Sequence, residues 1–266
     1  MESSPSAVPP PPKVDDPRVD LYADTMVPTG YGMLRTVVFR EGPVLAGRDP
    51  PEHIALVVGE IEGREEVLAR VHSECWTGEV LQSLKCDCRE QLDIALRRIV
   101  EAGRGVVLYL RQEGRGIGLG NKIRAYALQA QGLDTVEANR SLGFRDDQRE
   151  YDVAAAMLRE LGVKSIALLT NNPAKVTGLQ ADGVKVVRRV PMAVTANEYN
   201  QEYLATKNAR MGHKIPPRAA VKVNVTDAAP GDIEQGENPV LLRGPAVLRT
   251  RRPAAAPVNA KRRTRR

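Results

Sequence analysis

The chain has 266 residues, 42% of them hydrophobic, which is enough to bury one substantial core in one or two domains. Its net charge of +6 comes from the end of the chain: residues 216–266 carry eleven Lys or Arg and four Asp or Glu, which leaves 28 basic and 29 acidic residues in 1–215. This distribution argues against a nucleic-acid-binding fold and confines any weak polyanion binding to the C-terminal tail.

Both ends of the chain are predicted to be disordered. Residues 1–17 are rich in proline and favour polyproline II, and residues 216–266 are rich in Pro, Ala, Gly and Arg without sustained periodicity. The start lacks the basic and apolar segments of a signal peptide, and no run of about eighteen apolar residues occurs. We therefore expect a soluble cytoplasmic protein with no membrane contact and one folded domain over residues 18–215.

The front of this domain is predicted to be rich in β-strands. Residues 33–39, 54–60 and 66–71 form short runs of apolar and alternating residues that are typical of strands. We expect these strands to be antiparallel.

Helices and strands alternate in the remainder of the domain. After Cys88, apolar residues at helical spacing predict an amphipathic helix that ends at Gly103. The elements predicted next are a strand at 106–110, a glycine-rich loop, helices at 121–131 and 151–161, a strand at 165–170, a short helix from Pro173 and a strand at 184–187. We expect an α+β fold with a mixed sheet, in which an antiparallel β-rich part is followed by βα units.

The three cysteines of the chain, Cys75, Cys86 and Cys88, lie close together in the sequence. In a reducing cytosol, clustered cysteines bind metal or do chemistry more often than they form disulfides. Three thiolates leave one tetrahedral position of a zinc ion for a water whose pKa the ion lowers towards ~7. The spacing predicts a catalytic zinc site, with incidental buried cysteines as the alternative. His72 is a candidate fourth ligand, although a lone histidine is more often only hydrogen bonded.

A glycine-rich segment at residues 111–120 follows one predicted strand and precedes a helix. Its glycines let backbone amides approach an anion, and its arginines offer bidentate donors to phosphate. The spacing matches neither the dinucleotide-binding nor the Walker pattern, so a flexible turn is an equal alternative. Residues 169–175 repeat this arrangement of a strand, a polar loop and the start of a helix, with Lys175 in the first turn. The repetition favours two loops that bind one triphosphate.

Adjacent carboxylates and a nearby arginine precede the predicted helix at 151–161. The segment 144–149 contains Asp146, Asp147 and Arg149. From the residues alone we interpret it as a helix N-cap with a solvated charge cluster, and a functional role is the alternative.

Six segments together make the chain resemble GTP cyclohydrolase II. They are residues 70–75, 84–88, 111–115, 121–126, 134–139 and 169–173. Their order and spacing extend the resemblance over about residues 27–213, ending with the stretch from Lys207 to His213. The stretch before residue 20 has no room for the dihydroxybutanone phosphate synthase domain fused to this module in many relatives. We therefore expect the monofunctional form, with one activity.

The resemblance implies a role for each candidate residue. Zinc is held by Cys75, Cys86 and Cys88, and the catalytic residues are Tyr126, Asp147 and Arg149. The residues that contact GTP are Arg70, Val71, His72, Ser73, Glu74, Gln91, Glu113, Gly114, Arg115, Thr135, Thr170 and Lys175. Magnesium on the triphosphate and a homodimer are also implied.

The reaction implied by the resemblance hydrolyses GTP to 2,5-diamino-6-(5-phosphoribosylamino)pyrimidin-4(3H)-one, formate and pyrophosphate, the committed step of riboflavin synthesis. The resemblance implies that Arg149 acts as a nucleophile with Asp147 as its partner. Because a guanidinium is almost never deprotonated, electrostatic stabilisation is the physically easier role for Arg149, and both roles stay open. A relative that stops after one hydrolysis, or acts on a modified nucleotide, would share these motifs, and product analysis distinguishes it.

Overall fold

The computed structural model describes residues 19–42, 49–210 and 212–216. The tails predicted to be disordered, 1–17 and 216–266, lie outside these ranges apart from Pro216. The strands within the described ranges are β1 (Val19–Thr29), β2 (Gly32–Glu41), β3 (Glu52–Val58), β4 (Val67–Ser73), β5 (Gly105–Leu110), β6 (Ile166–Leu169) and β7 (Val186–Val190). The α-helices are α1 (Trp76–Glu79), α2 (Cys88–Glu101), α3 (Leu119–Gln129), α4 (Thr135–Ser141), α5 (Asp152–Glu160), α6 (Pro173–Ala181) and α7 (Gln201–Arg210).

One mixed sheet contains these strands in the order β1-β2-β3-β5-β4-β6-β7. The pairs β1–β2, β2–β3 and β3–β5 are antiparallel. The pairs β5–β4, β4–β6 and β6–β7 are parallel. The arrangement confirms the predicted α+β class, with an antiparallel front part and βα units behind it.

The expectation that β4 belongs to the antiparallel part is wrong. β4 lies between β5 and β6 and is parallel to both. Most of its residues are buried, as is typical of a parallel strand whose two faces are both covered. An apolar run predicts a strand, but it carries no information about the direction of the neighbouring strands.

Helices cover both faces of the sheet. On one face, Met157 of α5 and Leu179 of α6 belong to a core cluster that also contains Leu108 of β5. On the other face, Ile99 of α2 packs in a second cluster with Val107. Leu108 and Val107 are neighbours in β5 and enter different clusters because successive side chains of a strand point to opposite faces. The sheet is therefore the middle layer of a three-layer core.

Local sequence signals explain where two helices near the site begin. Asn172 caps α6 by accepting a hydrogen bond from Ala174 N at 2.9 Å, and Pro173 follows in the first turn. A capping box of Asp134 and Glu137 starts α4.

The sequence patterns missed β1, α1, α4 and α7 because these elements are mostly exposed, very short or largely polar. None of the helices in the described ranges is long and apolar enough to cross a bilayer.

Candidate functional site

The carboxyl ends of β4, β5 and β6 meet at one edge of the sheet because these strands are parallel neighbours. The loops that leave them carry Cys75, the glycine-rich segment after Leu110 and the stretch from Thr170 to Asn172. Ligands of sheets with parallel strands bind beyond this edge. A cavity of about 1040 Å³, counted with its opening to solvent, lies there.

This cavity brings together nearly all of the site residues predicted from the sequence. Its wall contains the three cysteines, Tyr126, Arg149 and every predicted nucleotide-binding residue except Val71. Val71 is fully buried, and its carbonyl oxygen accepts a hydrogen bond from Lys175 Nζ at 2.8 Å. Asp147 is not part of the wall and is bound to Arg149.

The three thiols form one cluster. Their sulfur atoms lie within 4.8 Å of one another, and the Sγ atoms of Cys75 and Cys86 are 3.7 Å apart. Gly78 of α1 leaves space beside them, because a Cβ at that position would lie 2.8 Å from Cys86 Sγ and 3.1 Å from Cys75 Sγ. Three sulfur atoms around one point form a soft donor set that suits zinc.

A lysine from α3 balances the charge of this cluster. Lys122 Nζ donates to Cys75 Sγ at 3.0 Å and to Glu113 Oε1 at 2.8 Å. Hydrogen bonds from Cys86 and Cys88, together with the charge of Lys122, hold the pKa of Cys75 well below its ordinary value despite burial. The thiolate is the form of cysteine that binds metal.

His72 lies in the cavity wall, but it contacts a carboxylate and is not part of the thiol cluster. Its Nε2 is 2.6 Å from Glu79 Oε1, and the Tyr109 hydroxyl donates to Glu79 Oε2 at 2.5 Å. Burial lowers the pKa of His72, so the neutral ring donates from Nε2 to the carboxylate. This geometry favours the hydrogen-bonded alternative over a fourth metal ligand.

Three buried polar atoms near the carboxyl end of β4 have no hydrogen-bond partner among the described residues. They are Arg70 Nε, His72 Nδ1 and Ser73 Oγ. All three side chains line the cavity. Because an unpaired buried polar group costs about 1–3 kcal/mol, this clustering at a cavity wall indicates a polar ligand that completes the missing hydrogen bonds.

Tyr126 of α3 lies beside the thiol cluster. Its hydroxyl oxygen is 3.5 Å from Thr77 Oγ1, which is 3.7 Å from Cys75 Sγ. Burial raises the pKa of Tyr126 to about 12. The phenol is therefore protonated at neutral pH and can donate a hydrogen bond or a proton.

Buried cations line the same cavity. Arg70 and Lys175 are each 4% exposed, and the side chain of Arg149 is 12% exposed. Burial, followed by the charges of Arg70 and Arg149, lowers the pKa of Lys175 well below its usual value. Burial also lowers the pKa of Arg70 to about 10, with Arg149 contributing. Repulsion among buried cations indicates a site suited to a polyanion.

The glycine-rich segment forms a tight turn over Glu113–Gly116, in which Gly114 and Arg115 have left-handed and not helical backbone angles. Arg115 has a left-handed backbone with φ of 62°, which costs a non-glycine residue about 1–2 kcal/mol. Gly116 has φ of 90°, and a Cβ there would lie 3.2 Å from the Gln148 carbonyl oxygen. Gln148 N donates to Arg115 O at 3.1 Å. The strained turn therefore packs directly on the segment that carries Arg149.

The interpretation of residues 144–149 as a helix N-cap is wrong. The N-cap residue of α5 is Tyr151, which makes no side-chain cap. Asp147 instead accepts a hydrogen bond from Arg149 Nε at 2.9 Å and forms an ion pair with its Nη2. Burial acts to lower the pKa of Arg149, but the hydrogen bond and charge of Asp147 raise it above its ordinary value, so the guanidinium stays charged.

The wall also contains side chains that the sequence patterns did not select. Lys122 and Asn139 come from α3 and α4, and Tyr203, Lys207 and His213 come from α7 and the residues after it. All of them except Tyr203 lie in segments that carried the resemblance to the family. Membership of these segments is the sequence signal that could have identified them.

Comparisons with known proteins identify one family. The family model for GTP cyclohydrolase II matches residues 21–191. The GTP cyclohydrolase-2 of Histophilus somni (strain 2336) is 54% identical over 198 residues, which cover 74% of this chain and 89% of that protein. The GTP cyclohydrolase-2 of Haemophilus influenzae (strain PittGG) is 53% identical over 199 residues, covering 74% and 90%. The riboflavin biosynthesis protein RibBA of Endomicrobium trichonymphae is 51% identical over 189 residues, covering 71% of this chain and 46% of that protein. The chain therefore belongs to the GTP cyclohydrolase II family and is a hydrolase that acts on GTP.

Proposed function

We propose that this chain is a zinc-dependent enzyme of riboflavin biosynthesis that hydrolyses GTP to the diaminopyrimidine nucleotide, formate and pyrophosphate. The observation that carries the proposal is a single cavity that holds a thiol cluster, a protonated phenol and several buried cations. The thiols and the phenol suit hydrolysis of the guanine ring, and the cations suit binding of a triphosphate.

Cys75, Cys86 and Cys88 are the proposed zinc ligands. The space beside Gly78 and the soft donor set both fit this ion. When bound, zinc supplies a Lewis acid and lowers the pKa of a water at its open fourth position. Lys122 offsets the negative charge of three thiolates through its hydrogen bond to Cys75.

The triphosphate is assigned to the buried cations and to the turn that presents Arg115. A polyanion offsets the burial and the cation repulsion that lower the pKa of Lys175. It also accepts hydrogen bonds from Arg70 and Ser73, whose side chains carry unpaired atoms. Magnesium enters as part of the nucleotide, because this ion keeps several waters and binds phosphate oxygens readily. The remaining predicted binding residues of the wall are His72, Glu74, Gln91, Glu113, Gly114, Thr135 and Thr170.

Tyr126 is proposed to give a proton or a hydrogen bond during hydrolysis of the ring. Its hydroxyl lies one side chain away from Cys75, through Thr77. A pKa of about 12 keeps it protonated at neutral pH, which suits a donor and not a base.

Arg149 is proposed to stabilise the negative charge that develops when the bond between the α and β phosphates breaks. A nucleophilic guanidinium must first lose a proton, whereas Asp147 holds that proton in place by raising the pKa of Arg149. Asp147 is then a positioning residue that fixes the guanidinium through its Nε and Nη2. A fixed charge aimed at a phosphate costs little reorganisation during the reaction.

Incubation of the protein with GTP and magnesium tests the proposal, with formate, pyrophosphate and the pyrimidine product measured together. Equal amounts of the three products are expected. Pyrophosphate with a product that keeps its formyl group supports the enzyme that stops after one hydrolysis. Failure to consume GTP in a zinc-loaded, folded protein refutes the proposal.

Four further assignments accompany this proposal: a catalytic domain over residues 18–215, a homodimer, a cytoplasmic location and weak polyanion binding by the basic tail. Exposed apolar side chains on neighbouring α1 and α3 offer surface for a dimer contact; they are Trp76, Leu119 and Ile123. Because every wall residue precedes Pro216, deletion of 216–266 is expected to leave turnover almost unchanged and to abolish polyanion binding. Assay and filter binding of the truncated protein check this, and loss of turnover with the fold intact contradicts the domain boundary.

A further inference from the structure

A buried ion pair joins α7 to the loop that carries two of the cysteines. Lys207 Nζ lies 2.7 Å from Asp87 Oδ1, and the two side chains are 7% and 0% exposed. Asp87 stands between Cys86 and Cys88 in the sequence. Lys207 and Asp87 are 120 positions apart in the chain, so the pair forms only when α7 docks on the loop.

Hydrogen bonds extend from this pair to an arginine of the cavity wall. Gln91 Nε2 donates to Asp87 Oδ2 at 2.5 Å, and Arg70 Nη2 donates to Gln91 Oε1 at 2.5 Å. A carboxylate only accepts hydrogen bonds, so Asp87 fixes which end of the Gln91 amide faces it. The amide oxygen is thereby left for Arg70.

The far side of Arg70 is fixed by the sheet. Its Nη1 donates to the Leu169 carbonyl oxygen at the end of β6, at 3.0 Å. The guanidinium is thus held between a rigid strand and an amide whose orientation depends on Asp87. An unfavourable orientation of Gln91 would bring its NH₂ group against the donors of Arg70.

Stability alone gives a weak reason for a buried ion pair. The cost of removing two charges from water offsets most of their attraction, and apolar replacement of both partners is often neutral or stabilising. The surroundings of this pair belong to the site: Lys207 lines the cavity, and its ammonium lies 4.2 Å from the ring centroid of Tyr203, another wall residue.

We propose that Asp87 and Lys207 are positioning residues, which hold the cysteine loop and, through Gln91, the guanidinium of Arg70 in the arrangement that binds metal and nucleotide. The docked helix α7 thereby completes the site. This inference rests on the proposed function, because it assigns the positioning effect to the proposed zinc and GTP sites.

Three variants of the full chain test the inference: Asp87→Asn, Lys207→Met and the double variant. Each single variant leaves one buried group without its charged partner, whereas the double variant removes both charges. Arg210→Met is the matched control, because it removes another cation of α7 that pairs with Asp134 at a more exposed position. The measurements are the Tm, the affinity for Co²⁺ followed by thiolate-to-cobalt absorption, and kcat and KM for GTP at saturating metal.

Both single variants are expected to lower the Tm, and the double variant is expected to regain a Tm close to that of the wild type. The double variant keeps a Co²⁺ affinity about 10–100-fold below the wild type, the usual effect of losing a residue that orients metal ligands. Its KM for GTP rises about tenfold or more, since a hydrogen bond to a charged group contributes that much. The control keeps the wild-type affinity and KM.

A double variant that keeps the wild-type Co²⁺ affinity and KM, whatever its Tm, shows that the pair does not position the site, and it overturns the inference. Wild-type protein that binds neither Co²⁺ nor GTP overturns the proposed function and the inference with it. A failure of the proposed function is therefore seen in the wild type. A failure of the inference alone is seen only in the double variant.

Discussion

Replacement of Arg149 by alanine is expected to slow pyrophosphate release by about 10²–10³-fold, the effect of removing one preorganised donor from a transition state. The slowing is expected to reach this range because the side chain of Arg149 is only 12% exposed and is held by Asp147. Water therefore cannot easily replace the guanidinium. The free energy of unfolding falls by about 1–2 kcal/mol, the lower part of the range for an unpaired polar group, since the side chain of Asp147 is 30% exposed and stays partly hydrated.

Arg140→Ala is the matched control for this variant. Arg140 donates to Asp146 from Nε and Nη2 at 2.8 Å each, which is the same type of pair on the neighbouring carboxylate. That pair is exposed and does not line the cavity, so its loss is expected to change stability by less than about 1 kcal/mol and to leave turnover unchanged.

The assay follows pyrophosphate, GMP and formate in parallel after rapid quenching, and intact-mass spectrometry of the quenched wild-type protein searches for a bound nucleotide. The electrostatic role predicts no covalent adduct. Detection of a guanylyl group on Arg149 during turnover, or wild-type pyrophosphate release by Arg149→Ala, would refute the reasoning. Loss of formate together with pyrophosphate shows that ring opening depends on prior cleavage of the phosphate.

Three other experiments test the remaining parts of the site. Cys86→Ser removes one of the three proposed thiolate ligands, so metal content and formate production are expected to fall together while pyrophosphate and GMP still form. Formate at the wild-type rate from metal-free protein contradicts the zinc assignment. Tyr126→Phe removes a protonated donor and is expected to slow formate release by about 10²-fold or more, or to let a formylated intermediate accumulate, with little loss of stability because the contact to Thr77 is long at 3.5 Å. Wild-type products and rates in that variant remove the phenol from the mechanism. A non-hydrolysable GTP analogue is expected to bind with proton uptake at a pH above the lowered pKa of Lys175 in the free protein, because the triphosphate raises that pKa again. The affinity of the analogue falls as the pH rises from this lowered pKa to the raised pKa of Lys175 in the complex. Calorimetry in buffers of different ionisation enthalpy measures the uptake, and Lys175→Met should abolish it.

Features that depend on neighbouring residues could be predicted from the sequence. Apolar spacing predicted α2 and β5 close to their observed bounds, and Pro173 marked the start of α6. The short spacing of Cys75, Cys86 and Cys88 predicted a thiol cluster, because a chain segment of that length can bring its own ends together. Family resemblance then supplied roles for side chains whose local pattern was ambiguous.

Which of these local features lie next to one another depends on the tertiary structure. The direction of β4 depends on strands that are distant in the sequence, so its apolar run could not show that it is parallel to β5 and β6. The sequence around Asp147 predicts a solvated helix cap. In the structure, burial and the packing of Gly116 on Gln148 place this segment at the cavity. Likewise Lys207 is an ordinary lysine on a polar helix until α7 docks on Asp87. Periodicity and capping report contacts within about four residues, whereas burial and charge pairing depend on the path of the whole chain.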